Sequence, residues 1–131
     1  MIKYPQFYTQ DNRLLIGPGD LVDKLSIIII KLEKIQNEKQ RQTIISELFL
    51  VTTLYIKIML DHQKKLIKMD ELFQQLMEVN LIQWDLENQV RVEQTGKAAY
   101  AARLNNEKRV EVKNKINRLM DYPFEEKEYQ G

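Results

Sequence analysis

The chain has 131 residues, 44% of them hydrophobic and 30% charged, with a formal net charge of +1. This balance excludes a disordered chain and an overall basic coat for nucleic acid, and the length suits one domain. Cysteine is absent and His62 is the only histidine, which removes disulfides, zinc ribbons, iron–sulfur clusters, cysteine nucleophiles and multi-histidine metal sites, and nearly excludes a Ser-His-Asp triad.

In chain order, residues 1–16 carry Phe7, Tyr8, Leu14, Leu15 and Ile16 and read as an extended arm or one short strand. They lack the apolar block of a secretory signal, so the cytoplasm is the expected compartment. Gly17-Pro18-Gly19-Asp20 reads as a helix start, with Pro18 in the first turn and Asp20 and Asp23 at the positive end of the helix dipole. From Asp20 to Thr95 there is neither glycine nor proline, the residues most costly inside helices.

The apolar spacing predicts a first helix over 18–37, with Leu21, Leu25, Ile28, Leu32 and Ile35 on one face. Val22 and Ile29 widen that face. Ile27 and Ile30 make the middle of the helix apolar nearly all round, as suits a central helix or one that also packs on a second chain. A turn over Gln36 to Gln40 leads to a second helix, 41–67, with Ile44, Leu48, Val51, Tyr55 and Ile58 in one stripe and Leu50, Leu54, Met59 and Leu66 off it. A third helix, 69–94, is striped by Leu72, Leu76, Val79, Leu86 and Val90, beside Phe73, Met77, Leu81 and Trp84. Gly96 separates a fourth, 97–120, with Ala98, Ala102, Val112, Ile116 and Leu119. Residues 121–131 read as an irregular tail. Unbroken aliphatic runs such as Ile27 to Ile30 fall far short of the roughly 18 apolar residues of a membrane span.

Long helices with short connections fold back on one another, so the expected fold is all-α: a single domain, with an arm at 1–16 and an antiparallel up-down bundle of about four helices over 17–120. The third helix sets Asp70, Glu71, Glu78, Asp85, Glu87 and Glu93 against Arg91. The fourth sets Lys97, Arg103, Lys108, Arg109, Lys113, Lys115 and Arg118 against Glu107 and Glu111. An acidic helix beside a basic one accounts for both runs, and nucleic acid is not an expected partner. The apolar surplus of the first two helices instead predicts a homo-oligomer.

Helical spacing also builds polar faces. Asn80, Trp84, Glu87 and Arg91 share one face, as do Asn106, Arg109, Lys113 and Asn117; on the first helix Asp20, Asp23, Lys24, Ile27 and Lys31 do the same. If these faces converge they form a polar seam. One reading is a network fixing helix register, with Glu87 paired to Arg109 or Lys113. The other is an anion site in which Lys24, Arg91, Arg109 and Lys113 bind a phosphate, nucleotide-sugar or carboxylate and Trp84 stacks on a ring. The seam candidates are thus Lys24, Trp84, Glu87, Arg91, Asn106, Arg109, Lys113 and Asn117. His62 reads as a solvated helix-end residue, and Met59, Met69 and Met77 as core.

No Gly-rich phosphate loop, nucleophile elbow or His-Glu-x-x-His motif is present, so no catalytic residue, metal ligand or cofactor is assigned. The one enzyme class kept as an alternative is the all-helical, Mg-dependent nucleotide pyrophosphohydrolase type, for which Asp20/Asp23 and Glu107/Glu111 are the only suitably spaced acids.

Three segments carry a resemblance: Gly19 to Ile27 with Lys31 to Ile35, Asn80 to Arg91 around Trp84, and Asn106 to Arg109 with Lys113 and Ile116-Asn117. Together with Glu125 to Tyr129 they resemble a bacterial domain-of-unknown-function family of small helical proteins, found near or fused to glycosyltransferases of surface-polysaccharide biosynthesis. Ile29 and Asn88 stand where that family carries acids, as in a divergent or viral member. The resemblance implies a helical fold, a glycan-biosynthesis setting and a glycosyltransferase as a partner, rather than an activity.

Overall fold

The structure, a computed structural model, describes residues 17–123. The predicted arm and the tail from 124 onward lie outside the described residues. The chain folds as α1 (Pro18–Lys34), α2 (Glu38–Leu60), a 3-10 turn (Gln63–Lys65), α3 (Leu66–Glu93) and α4 (Gly96–Leu119). It is all-α, as the breaker pattern predicts, and among the described residues there is no strand. Asp23 meets Arg109 while Gly19 meets Asn117, so α1 and α4 run antiparallel; α1 and α3 run parallel, completing an up-down-up-down bundle.

Side chains define most of the ends. The α1 start has no cap of its own, and Asn117 of α4 supplies one by accepting the Gly19 N–H at 2.7 Å. That approach requires glycine, because a β-carbon at Gly19 would collide with the Lys113 carbonyl oxygen. Arg41 closes the first turn by donating to the Leu32 and Ile35 carbonyls, and Asn37 caps α2 by accepting from Gln40 N. Thr95 caps α4, accepting from Ala98 N at 3.1 Å.

Several predicted boundaries shift: the turn expected over Gln36 to Gln40 lies instead at residues 35–37, so α1 ends at Lys34 and α2 begins at Glu38, where Asn37 caps it. The second helix ends at Leu60 rather than 67, and Leu66 and Ile67 begin α3. His62 makes the break: its backbone leaves helical values (φ −134, ψ 41) while its ring Nδ1 lies 2.9 Å from the Ile58 carbonyl. Gly96 is the first residue of α4 rather than the separator; Gln94 takes the left-handed conformation (φ 52) that ends α3.

The core has two parts. Val22, Met59, Met69, Leu72, Leu76, Val112, Ile116 and Met120 unite all four helices at one end, and Leu21, Leu25, Ile28, Ile44, Val51 and Leu54 join α1 to α2. α1 packs on every other helix, which accounts for its all-round apolar middle: Ile30 is 1% exposed within the single chain. The apolar surplus expected of α1 and α2 therefore belongs to α2, which packs chiefly on α1. Its far side leaves Phe49 72%, Ile56 51% and Leu60 61% exposed. By length and composition α2 is also apolar enough to cross a membrane, an 18-residue stretch of it having a mean hydropathy of 1.7. Run length missed this, because Ser46-Glu47, Thr52-Thr53 and Lys57 interrupt the apolar residues.

Candidate functional site

Between the apolar layers, α1, α3 and α4 each turn polar residues inward. Asp23, Ser26, Asn80, Gln83, Asn105, Lys113 and Asn117 are all buried. Asp23 is the hub. Its two carboxylate oxygens accept from Arg109, Nε to Oδ1 at 3.0 Å and Nη2 to Oδ2 at 2.5 Å, a bidentate pair. Oδ1 also accepts from Asn80 Nδ2 at 2.9 Å, and the same amide donates to Ser26 Oγ at 2.7 Å. Ser26 in turn donates to the Asp23 carbonyl.

Lys113 flanks the hub, with its Nζ 2.8 Å from Asp20 and 3.9 Å from Asp23. Hydrogen bonding to Asp23 raises the Arg109 pKa above its ordinary value against the opposing effect of burial, and the charges of Asp23, Glu87 and Asp20 add to the rise. A second strand of the network ties α3 to α4: Asn105 Nδ2 donates to the Val79 carbonyl at 3.0 Å and to Gln83 Oε1 at 2.8 Å. Among the described residues no buried side-chain nitrogen or oxygen lacks a hydrogen-bond partner.

The seam expected from helical spacing thus forms, with changes of membership. Arg109, Lys113 and Asn117 lie in it, and Asn106 lies at its edge, 3.4 Å from Arg109 Nη1. The partner of Arg109 is Asp23 of α1 rather than Glu87 of α3; Glu87 is exposed and accepts only a long 3.4 Å bond from Gln83. Lys24 does not join: it points to the α2 side and pairs with Glu47 at 2.9 Å. Trp84, Glu87 and Arg91 line a half-open pocket of about 360 Å³ beside the network, together with Lys31 and part of Arg109.

Spacing placed Asp23 on the polar face of the first helix but, with a helix-start role to explain it, did not count it among the seam candidates, and it left out Ser26, Gln83 and Asn105. A signal for them existed. The apolar ladder of α4 steps from Ala98 and Ala102 to Val112 and Ile116, and the inward positions it skips are Asn105 and Arg109. The α3 ladder skips Gln83 in the same way.

The acids named for a metal-dependent alternative are each engaged by a base: Asp20 by Lys113, Asp23 by Arg109, Glu107 by Arg103 at 3.9 Å and Glu111 by Lys115 at 3.7 Å. Among the described residues no group of three or more Asp, Glu or His side chains is placed to hold a metal ion. Comparison with protein families, curated proteins and solved structures finds no match to this chain.

Proposed function

We propose that the protein is a self-associating helical module whose dimer forms through the outer face of α2. One observation carries this reading: that face is self-complementary. Ile45, Phe49, Thr52, Thr53, Ile56 and Leu60 lie along one side of α2, and their order is symmetric about the Thr52–Thr53 bond. Large apolar residues stand at equal distances on either side of two small ones. An isologous interface needs such a pattern, because a two-fold axis at its centre sets each residue opposite its mirror position. In an antiparallel pair Ile45 meets Leu60 of the second copy, Phe49 meets Ile56, and the threonines let the helices approach closely at the crossing.

The threonine hydroxyl at 53 already donates to the Phe49 carbonyl at 2.7 Å, so burying it strands no donor. A membrane surface is the less suitable occupant, since small polar side chains would then sit at the centre of the apolar face. On the sequence resemblance, we assign such an assembly to the cytoplasmic side of surface-polysaccharide biosynthesis, where a glycosyltransferase is the further partner.

Sedimentation equilibrium at micromolar concentration tests the proposal. The parent chain is expected to be a dimer, and Phe49→Glu and Ile56→Glu folded monomers, since both side chains are exposed in the single chain. A monomeric parent refutes self-association. Flotation of the parent with lipid vesicles, lost in Phe49→Glu, would assign the face to a bilayer instead.

A further inference from the structure

The pocket beside the buried layer is independent of the α2 face, and its chemistry is legible. Its cations are the first element. Lys31 projects from α1 and Arg91 from α3, and neither forms an ion pair with any described residue. This contrasts with the neighbouring layer, where Arg109 and Lys113 each hold an aspartate. Two cations with no ion-pair partner among the described residues share this concave surface with one carboxylate, Glu87, and the positive balance favours an anion.

The second element is a ring platform. Partly buried Trp84 lines the pocket from α3 and partly buried Ile27 from α1, so the pocket offers an indole and an aliphatic side chain to a flat or weakly polar ring. The third is Glu87, whose carboxylate accepts hydrogen bonds and cannot donate them; facing a ligand it suits hydroxyl groups. A volume of about 360 Å³ lies at the small end of ligand sites.

The geometry points to a binding site for a phosphate monoester carried on a hydroxylated ring, the chemistry shared by nucleoside monophosphates and sugar phosphates. Lys31 and Arg91 take the phosphate, Trp84 the face of the base or sugar, and Glu87 the ring hydroxyls. Arg109, fixed by Asp23, is also part of the lining and joins the site to the buried network.

Trp84 is the only tryptophan in the chain, so its fluorescence reports on this site directly. The experiment titrates the intact protein with AMP, glucose 1-phosphate and inorganic phosphate. At least one ester is expected to give a saturable change at concentrations where inorganic phosphate gives none. AMP binding alone assigns Trp84 to a base, and glucose 1-phosphate binding alone to a sugar. The double variant Lys31→Gln/Arg91→Gln should weaken binding roughly tenfold or more, the loss expected for a charge-assisted contact, whereas Lys68→Gln, on another face, should not.

Neither cation's side chain bonds to another described residue, so melting should be unchanged; if the double variant fails to fold, Arg91→Gln alone carries the test. Phe49→Glu should bind as the parent does, because every pocket residue belongs to one chain. Absence of saturation by either ester at millimolar concentration overturns the inference. So does inorganic phosphate binding as tightly as the esters, or an equal loss in Lys68→Gln.

Discussion

Two regions of this small bundle treat their chemistry in opposite ways. The layer around Asp23 is polar yet closed, and among the described residues no buried donor or acceptor in it lacks a partner. The outer face of α2 is apolar yet open, with Phe49 and Leu60 more than half exposed. The usual distribution of a single domain is inverted at both places. A buried polar layer tolerates only the helix register that satisfies every donor and acceptor, so it specifies how α1, α3 and α4 meet. An open apolar stripe specifies nothing within one chain; its pattern has meaning only against a second surface. The first region fixes the fold and the second is available for assembly.

The comparison is broken most severely at its hub. Asp23→Ala leaves the half-buried Arg109 guanidinium without its counter-charge and the buried Asn80 amide without an acceptor, and should destabilise the protein by roughly 2–4 kcal/mol, read from thermal or denaturant unfolding. A loss within the range of an ordinary surface substitution would mean that the layer does not hold the helices together. Gly19→Ala comes next. The added methyl meets the Lys113 backbone, which cannot step aside as a side chain can, and a cost of about 1–3 kcal/mol is expected on the same measurement. On the other side of the comparison, Phe49→Glu should leave monomer stability within about 0.5 kcal/mol while abolishing association. Unfolding of that variant would make the α2 face part of the core after all.

These contrasts show what the sequence could disclose. The four helices were legible because glycine and proline are confined to the margins of a long apolar periodicity. The break at His62 was not, because it uses neither residue and depends on a ring nitrogen meeting the Ile58 carbonyl. Within the site, Arg109, Lys113 and Asn117 were legible as one polar face. Their partner was not, because Asp23 at a helix start has a local explanation in the dipole, and only the parallel packing of α1 on α3 brings it to Asn80. Lys24, one residue on, turns a hundred degrees around the helix and reaches Glu47 instead.

A smaller effect sharpens the boundary between the two regions. Tyr55, on the inner side of α2, has its pKa raised by burial and then by the charge of Asp70. A raised folded value means that its contribution to stability is complete below the ordinary tyrosine pKa of about 10 and is lost as the pH climbs through the folded value. Ultraviolet titration should show a late tyrosine ionisation in the parent that Tyr55→Phe removes.

The central claim, that α2 meets a second copy of itself about Thr52 and Thr53, has a direct test because the chain has no cysteine. A single Thr53→Cys substitution places a thiol beside the proposed two-fold axis, and Ile82→Cys places one on an exposed part of α3 as a control. Under mild oxidation in dilute solution the account predicts a rapid, near-complete disulfide-linked dimer from Thr53→Cys and little from Ile82→Cys. Equal rates for the two, or no linkage at position 53, would contradict it.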